Sequence, residues 1–412
     1  MENRKQRIMI LGASILQVPL IEYAVRSGHE TIVVSPDLSE PGHLISNTSI
    51  CLDNRDKFSI LNNAREYMID GIITDQNDIS VRSVAYVAEK MGLPGIGYET
   101  ALLFSDKYLM REKCRSLGIK TLDYRLCEST IEVLDFYLRI GKEIIVKPTD
   151  SQGSRGVSLV RHEGEIPEAF QNAQCNSNCG SVLVEEYVFG REFVAEGIAF
   201  NNQFENLIIG DTLYFDLPNV FAAYTRVFPT KADLDLENRI KNMAKKIVKG
   251  FGLSQGVSHS EFIISGEDII LIETAARGGG VFISSDLIPL STGVNTEEFL
   301  VNIALGIQNS LPIIQEKLCV CCYRSFFLPE GEVVSASGID VVEGLPFTHR
   351  NNLSRLFVGK NIVKNIDKTS RFFIIISAKS HDELEHRIAI IKSELRIEVF
   401  SEEYGIRGPI WQ

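Results

Sequence analysis

A lysine followed by a run of small residues is the strongest chemical signal in this chain of 412 residues. The segment Ile144–Pro148 has the composition of a strand, and Lys147 lies near its end. The small residues that follow it are Ser151, Gly153, Ser154 and Gly156. Backbone N–H groups in such a loop can converge on one anion, and together with the lysine they suit a triphosphate. The loop is not a Walker A motif, and a flexible surface turn is the alternative interpretation.

Two glutamates that a hairpin would bring together form the second signal. The segments Gly256–Ile264 and Ile269–Gly280 have strand composition. With a three-residue loop that begins at Gly266, Glu261 lies directly opposite Glu273. Opposed carboxylates repel each other, and a divalent cation removes that conflict. Oxygen ligands predict Mg²⁺, with Mn²⁺ as a substitute, whereas the alternative is a solvated acidic face in another register.

Four further side chains are candidates for the site. With period-two alternation His259 shares a face with Glu261, although a structural histidine is the alternative. Arg277 opens a glycine-rich stretch and can hold a carboxylate or a phosphoryl group through two hydrogen bonds. Tyr224 and Arg226 lie in an aromatic-rich segment and are candidate substrate contacts, and a packed surface loop is the alternative.

A pair of acidic strands offers groups that suit a nucleoside. Glu185 ends one strand-like run and Glu192 begins the next, with the Tyr187–Val188 segment between them. The backbone of that segment could bind adenine, and a carboxylate could bind ribose hydroxyls. A charged hairpin with no ligand is the alternative interpretation.

The elements that must position these groups follow from the hydrophobic pattern. Between Arg7 and about Leu103, β-branched runs alternate with amphipathic stretches, which predicts βαβ units and a parallel sheet. The first turn supplies one glycine, Gly12, where a dinucleotide-binding fingerprint has three. A nicotinamide oxidoreductase is therefore disfavoured, and the predicted fold class is α/β.

Local signals place several later elements. Ser105 is expected to cap a helix that stops at Gly118. The polar stretch Glu163–Gly180 is expected to be a loop. Ser380 and Glu383 have the spacing of a capping box, which predicts the start of the last long helix.

Composition argues against several classes of protein. A formal net charge of -12 and a pI near 5.2 predict that the chain binds no nucleic acid. No apolar run reaches the roughly 18 residues of a membrane helix, so we expect no membrane association and a cytoplasmic location. The eight cysteines are expected to stay reduced, because the sequence shows no secretion signal. A zinc site is disfavoured, because no histidine lies at zinc-finger spacing from the cysteine clusters. A homodimer is compatible with the sequence.

Taken together, these motifs occur in the order and spacing of the ATP-grasp superfamily, which the chain resembles from about Arg7 to Ser310. The resemblance implies an α/β architecture in which an ATP-grasp fold follows a Rossmann-like preATP-grasp domain. The implied domains are residues 1–104 (preATP-grasp), residues 105–310 (ATP-grasp, with subdomains 105–180 and 181–310) and residues 311–412 (a small C-terminal α/β domain).

The resemblance also implies how ATP is bound. Lys107 and Lys147, with the loop of small residues, are expected to contact the phosphates. Glu185 and the backbone of Tyr187–Val188 are expected to flank adenine, and Glu192 is expected to meet the ribose.

The same resemblance implies the reacting end of the site. Glu261 and Glu273 are expected to ligate Mg²⁺, and Arg277 to steady the reaction intermediate. The His259-x-Glu261 strand resembles the branch of L-amino-acid ligases and carbamoyl-phosphate-synthetase-like enzymes. Many relatives carry Asn two residues after the second metal-binding Glu, where this chain has Ala275, so a third side-chain ligand is not expected.

The implied activity is ATP-dependent joining of a small carboxylate, such as an amino acid, to an amine. The carboxylate is activated as an acyl phosphate, and ADP and phosphate are released. Among enzymes, the alternative is a bicarbonate-using carboxylase or a carbamoyl-phosphate-type reaction. From another class, the alternative is a nucleotide-binding regulatory protein without turnover, which retention of both lysines and both glutamates disfavours.

Overall fold

The structure is a computed structural model that describes residues 5–217, 220–315, 318–363 and 371–412. The chain divides into two compact units. The first comprises the chain up to Ile209 together with Asp233–Pro289 and Val294–Ile314, and the second comprises Gly210–Ala232, Leu290–Gly293 and the chain from Gln315 onward. The three domains expected from the sequence remain a prediction.

Strands and helices occur throughout the described residues. The strands are β1 (Arg7–Leu11), β2 (Glu30–Ser35), β3 (Thr48–Cys51), β4 (Gly71–Ile73), β5 (Tyr124–Cys127), β6 (Ile144–Pro148), β7 (Ser158–Val160), β8 (Val182–Glu186), β9 (Arg191–Phe200), β10 (Gln203–Tyr214), β11 (Ala223–Phe228), β12 (Gly256–Ser265), β13 (Asp268–Ala275), β14 (Val320–Phe326), β15 (Gly331–Ser337), β16 (Thr348–Asn351), β17 (Asn361–Ile362), β18 (Phe372–Ala378), β19 (Arg396–Ser401) and β20 (Gly405–Arg407). The helices are α1 (Val18–Arg26), α2 (Lys57–Glu66), α3 (Asp78–Met91), α4 (Tyr98–Leu103), α5 (Lys107–Ser116), α6 (Thr130–Ile140), α7 (Ile166–Cys175), α8 (Leu234–Gly250), α9 (Ile288–Thr292), α10 (Thr296–Ala304), α11 (Ile339–Glu343) and α12 (His381–Glu394).

The first sheet of the first unit is parallel, as the sequence predicts. Its strand order is β3-β2-β1-β4, and β1 pairs in parallel with both β2 and β4. Apolar residues on the two middle strands, such as Met9 and Ile32, are fully buried against helices α2 and α3. A sheet covered in this way needs continuous apolar strands, which is the pattern read from the sequence.

A four-stranded sheet carries the lysine loop. Its order is β5-β8-β6-β7, and each neighbouring pair of strands is antiparallel. Helices α6 and α7 pack on one face of it. The loop predicted for Glu163–Gly180 was wrong at its centre, because Ile166, Ala169, Phe170 and Ala173 are buried at the i, i+3, i+4, i+7 spacing of helix α7.

The N-cap of helix α5 lies one residue later than predicted. Its N-cap is Asp106, whose carboxylate accepts hydrogen bonds from the backbone of Tyr108 and Leu109, both at 3.0 Å. The predicted cap, Ser105, instead donates to the carbonyl of Ala101 at 2.6 Å. The helix ends at Ser116, so Lys107 stands at its first position.

The hairpin of β12 and β13 brings Glu261 opposite Glu273, although its loop is shorter than predicted. Ser265 pairs with Asp268, which leaves a two-residue loop whose first residue, Gly266, has a φ of 60°. The register then shifts between Glu261 and Phe262, where β13 has one extra residue, Ile272. Because of this bulge, Glu261 lies opposite Glu273, as it would with a three-residue loop and no bulge.

The remaining sheet of the first unit places this hairpin beside β9. Strands β13, β12, β9 and the first half of β10 are hydrogen-bonded in that order, and β9 runs antiparallel to β12. In this register His259 lies opposite Glu196. Helix α8 packs on these strands through buried apolar residues such as Ile240 and Ile247.

The second unit contains its own core. Strands β11, β14, β18 and β16 pair in that order, and a separate sheet has the order β17-β15-β19-β20. Phe326 and Ile374 are buried between strands and helix α12. The predicted N-cap of α12 is confirmed, since Ser380 accepts a hydrogen bond from the backbone of Glu383 at 3.2 Å, but the side chain of Glu383 accepts from the backbone of Lys379 rather than from that of Ser380. Within the described residues of the chain, no helix has the length and apolar character needed to cross a membrane.

Candidate nucleotide and metal site

A buried ionic cluster joins the lysine of β6 to strand β8 and helix α5. Glu185 is 1% exposed and forms ion pairs with both Lys147 and Arg111. The Nε atom of Arg111 lies 2.5 Å from Glu185 Oε1. Strand β6 therefore places Lys147 just before the small-residue loop, and Glu185 neutralises the charge of the lysine.

Burial and charge act in opposite directions on the pKa values in this cluster. Burial would raise the pKa of the Glu185 carboxyl, but the charges of Arg111 and Lys147 and their hydrogen bonds lower it to about 2. Burial lowers the pKa of Lys147, and the neighbouring Arg111 adds to this effect while Glu185 opposes it. The cluster thus holds a carboxylate that stays ionised in acid.

We expect this carboxylate to make stability depend on pH in the acid range. Because the pKa of Glu185 is lowered on folding, its contribution is present above the unfolded value of about 4.5 and is lost as the pH falls toward 2. The shift corresponds to about 3 kcal/mol in the free energy of unfolding. Urea unfolding of Glu185→Gln should therefore show a shallower loss of stability between these pH values than the wild type.

A matched control is Glu168→Gln, which changes an exposed glutamate on α7 and should leave the slope of the wild type unchanged. If Glu185→Gln and the wild type lose stability with the same slope, the cluster does not hold an ionised carboxylate.

The second predicted lysine connects the small-residue loop to the acidic hairpin. Lys107 Nζ donates to Glu273 Oε1 at 2.7 Å and to the carbonyl of Ser151 at 2.8 Å. Its side chain is 10% exposed, whereas that of Glu273 is 29% exposed. The lysine therefore lies between the candidate phosphate loop and a candidate metal ligand.

The two opposed glutamates have the chemistry that a divalent cation needs. Glu261 and Glu273 are partly exposed, and each now faces a cationic or hydrogen-bonding partner, His259 at 3.2 Å for Glu261 and Lys107 for Glu273. No group of three or more His, Cys, Asp or Glu side chains in the described ranges is arranged to hold a metal. Two carboxylate ligands fit Mg²⁺, which usually completes its shell with water and phosphate oxygens. Ala275, where a third ligand is absent, is buried opposite His259.

The small-residue loop has backbone angles that favour glycine. Gly153, Ser154 and Gly156 have φ values of 67°, 62° and 75°. A Cβ atom on Gly156 would lie 2.7 Å from Asn176 Cβ, so a side chain does not fit there. Successive residues with positive φ turn N–H groups to one side, as in anion-binding nests.

The candidate nucleoside contacts lie at the junction of β8 and β9. The backbone N–H of Tyr187 donates to the carbonyl of Glu143 at 3.0 Å, and Val188 packs beside the hairpin core. Glu192 is partly buried in β9, opposite Ile263 of β12. Burial, with the nearby carboxylates of Glu143 and Glu192, raises the pKa of Tyr187. The adenine and ribose roles remain predictions.

His259 bridges two carboxylates in the strand interior. Its Nδ1 forms a short contact with Glu196 Oε1, and its Nε2 lies 3.2 Å from Glu261 Oε1. Burial would lower the pKa of His259, but the charge of Glu196 and the hydrogen bonds of both glutamates raise it. Glu196 also accepts a hydrogen bond from the backbone of Gly279 at 3.3 Å.

Arg277 is held by the segment that follows β4. It forms two hydrogen bonds to Asp78, from Nε at 2.8 Å and from Nη2 at 2.7 Å. The backbone N–H of Asp78 in turn donates to the Gln152 side chain of the small-residue loop at 2.9 Å. Burial raises the pKa of Asp75, which accepts a hydrogen bond from the backbone of Gly278 at 2.8 Å. Asp78, which follows strand β4 of the parallel sheet, therefore contacts both the small-residue loop and Arg277.

The two candidate substrate residues lie in the second unit. Arg226 is buried in β11 and pairs with Tyr323 of β14. The ring of Tyr224 faces the guanidinium of Arg324, with 4.4 Å between the ring centre and the guanidinium carbon. These contacts with Tyr323 and Arg324 do not identify a substrate, so substrate binding by Tyr224 and Arg226 remains a prediction.

Three residues of the candidate site were not identified from the sequence. Arg111 follows Lys107 by one helical turn, so helical spacing could have placed it on the same face. Glu196 follows Glu192 by four residues in a strand and therefore shares its face. Asp78 stands at the first position of α3 and gave no distinguishing signal.

Residues 140–286 match the family model of the ATP-grasp domain. The chain also shares its fold with an L-amino acid ligase from Bacillus licheniformis, with a TM-score of 0.79, 20% identity, and coverage of 96% of this chain and 99% of that one. Residues 140–286 therefore form a domain of the ATP-grasp type. The ATP-grasp match includes Lys147, both hairpin glutamates and Arg277, and the fold class predicted from the sequence is confirmed.

Two further proteins are similar to the chain in sequence. The formate-dependent phosphoribosylglycinamide formyltransferase of Methanocaldococcus jannaschii is 24% identical over 282 residues, which cover 66% of this chain and 69% of that protein. The alanine–anticapsin ligase of Bacillus subtilis is 25% identical over 308 residues, which cover 68% of this chain and 64% of that protein. The match to the second relative thus spans slightly less than two thirds of its length.

Proposed function

We propose that the protein is an ATP-dependent carboxylate–amine ligase that works through an acyl phosphate. The observation that carries the proposal is that Lys107 links the loop of small residues to Glu273, which lies opposite Glu261 in the hairpin. Lys147 lies at the end of β6, and Lys107 contacts both Ser151 and Glu273. These groups suit a triphosphate and its metal ion.

The reaction begins when a carboxylate oxygen of the substrate attacks the γ-phosphorus of ATP. A new P–O bond forms, the bond between the γ-phosphorus and the bridging oxygen breaks, and ADP leaves. Lys107 and Lys147 neutralise charge on the phosphates, and Arg277 orients the carboxylate or the acyl phosphate.

An amine then attacks the carbonyl carbon of the acyl phosphate. A C–N bond forms, and the bond between the carbonyl carbon and the bridging oxygen breaks. Inorganic phosphate leaves with that oxygen, and the nitrogen loses a proton. No covalent link to the protein is needed, because the anhydride already has a good leaving group. Water must be excluded, or the acyl phosphate hydrolyses.

Glu261 and Glu273 are the residues that would hold Mg²⁺, or Mn²⁺ in its place. When bound, the metal neutralises charge on the phosphates and helps to orient them. Glu261 is itself oriented by His259, which Glu196 holds on its other side. Each of these residues comes from a strand of the same sheet.

A small carboxylate is the acyl substrate that fits this proposal best. The similar proteins are named for an amino acid, L-amino acids or formate, and each of these carries a carboxylate. Arg277 offers the two-hydrogen-bond geometry that a carboxylate accepts. We infer an amino acid or another small carboxylate as the acyl donor and a small amine as the acceptor. All eight cysteines are free, which suits a reaction in the reducing cytoplasm.

Product analysis tests the reaction class. We expect ADP and inorganic phosphate to form when ATP, Mg²⁺, a carboxylate and an amine are all present, with no need for biotin. A screen of amino-acid pairs by phosphate release, followed by chromatography of the nucleotides, makes the measurement. Formation of AMP and pyrophosphate would exclude the acyl-phosphate mechanism, and turnover that needs bicarbonate alone would favour a carboxylase.

A further inference from the structure

Arg111 is a fully buried cation with contacts to both halves of the nucleotide and metal site. It stands on α5, is 1% exposed and lies one helical turn after Lys107. Besides its two hydrogen bonds to Glu185, it donates from Nη2 to the carbonyl of Ile272 at 2.7 Å. A single guanidinium therefore joins strand β8 to strand β13.

The carbonyl that Arg111 contacts belongs to the bulge residue of the hairpin. Ile272 is the extra residue of β13, and it is inserted between the partners of Phe262 and Glu261. Without this residue out of register, Glu261 would face Ile272 rather than Glu273. A bulge disrupts the ladder of hydrogen bonds locally, and Arg111 donates a hydrogen bond to the carbonyl of the bulge residue.

The other contact of Arg111 fixes the position of a lysine. Glu185 is shared between Arg111 and Lys147: Nε of Arg111 donates to Oε1 at 2.5 Å, and Nη2 lies 3.3 Å from Oε2, the oxygen that pairs with Lys147. Among the described residues, Arg111 Nη1 has no hydrogen-bond partner, although the atom is buried. Burying this donor without a partner costs free energy of folding, so the hydrogen bonds of Arg111 come from its other two nitrogens, Nε and Nη2.

We propose that Arg111 is a positioning residue that couples the metal-binding pair to the phosphate-binding lysine. Through Ile272 it keeps Glu273 opposite Glu261, and through Glu185 it keeps Lys147 directed at the phosphate loop. A lysine at this position would preserve the charge, but its single nitrogen cannot reproduce the planar fork that reaches a carboxylate and a carbonyl together. The inference rests on the proposed ATP and Mg²⁺ site and does not depend on which substrates are ligated.

The test is titration calorimetry of the full chain with ATP at a series of Mg²⁺ concentrations, with adenosine as a second probe. For Arg111→Lys we expect the Mg²⁺ concentration that half-saturates the effect on ATP binding to rise about tenfold or more, as for other residues that support metal ligands. ATP affinity at saturating Mg²⁺ should fall about tenfold, and adenosine affinity should change less than about twofold. Arg115→Lys, on the exposed side of the same helix, is the matched control and should behave as the wild type.

Circular dichroism and thermal unfolding establish that each variant is folded. If Arg111→Lys is unstable, Arg111→Met repeats the test with the charge removed and similar bulk. A folded variant whose Mg²⁺ dependence and ATP affinity match the wild type overturns the proposal, as does an equal loss of ATP and adenosine binding. If the wild type binds ATP with Mg²⁺ but ligates no amine, the proposed function fails while the role of Arg111 is still measured.

Discussion

Glu273→Gln should remove turnover while leaving the protein folded. The substitution keeps the shape of the side chain but removes one of two charges that face each other across the hairpin. Loss of a metal ligand costs several kcal/mol of transition-state stabilisation. We therefore expect amine-dependent ADP formation to fall about 10³-fold or more, as measured by coupled assay at saturating ATP.

The stability of this variant should change little. The ion pair between Glu273 and Lys107 is partly exposed on the glutamate side, so its loss should cost less than about 1 kcal/mol, and relief of repulsion with Glu261 offsets part of that. Asp268→Asn is the matched control, because Asp268 is on the same strand, has a side chain that is 45% exposed and pairs with Lys120 at 2.6 Å. Near-normal activity of Glu273→Gln at limiting Mg²⁺ would contradict the assignment of a metal ligand.

Lys147→Ala should weaken ATP far more than adenosine. The lost ammonium is proposed to contact only phosphate, so calorimetry should show ATP affinity reduced about 100-fold, which corresponds to about 2.7 kcal/mol. Adenosine affinity should stay within about threefold of the wild type. Glu185 keeps its pair with Arg111 in this variant, so the buried carboxylate is not left alone.

Lys142→Ala provides the comparison for that measurement. Lys142 precedes the same strand, is exposed and pairs with Glu186 at 2.7 Å. Its removal should affect neither ligand. An equal weakening of ATP and adenosine by Lys147→Ala would show that Lys147 supports the fold rather than the phosphates.

The hairpin shows how much of the site could be predicted from the sequence. Alternation and the position of Gly266 were sufficient to place Glu261 opposite Glu273. The predicted loop was one residue too long, and the bulge at Ile272 compensates for that difference. No local signal marks the bulge, because its stabilising partner, Arg111, is 161 residues away in the sequence.

Helices α7 and α5 show a different limit of prediction from the sequence. The stretch that contains α7 was taken for a loop because its asparagines dominated the composition, whereas its four buried apolar positions determine the structure. Helix α5 was predicted correctly, but Asp106 rather than Ser105 caps it. Both residues are good caps, so propensity alone could not choose between them.

Charge partners were the least predictable part of the site. The sequence singled out Lys147, Glu185 and Arg277 as ligand-binding groups. The structure adds that Glu185 is balanced by Arg111 and that Arg277 is paired with Asp78. These partners come from elements far apart in the chain, and only tertiary packing brings them together.

The three glycines after Arg277 set a limit for protein engineers who wish to change substrate preference. A Cβ atom on Gly278 would lie 2.2 Å from Ser284 Oγ, and one on Gly279 would lie 2.6 Å from Glu196 Oε1. A Cβ atom on Gly280 would have no neighbour among the described residues within 4 Å. Diversity introduced into this loop is therefore tolerated sterically at Gly280, whereas changes at the first two glycines displace the carboxylate and hydroxyl groups beneath them.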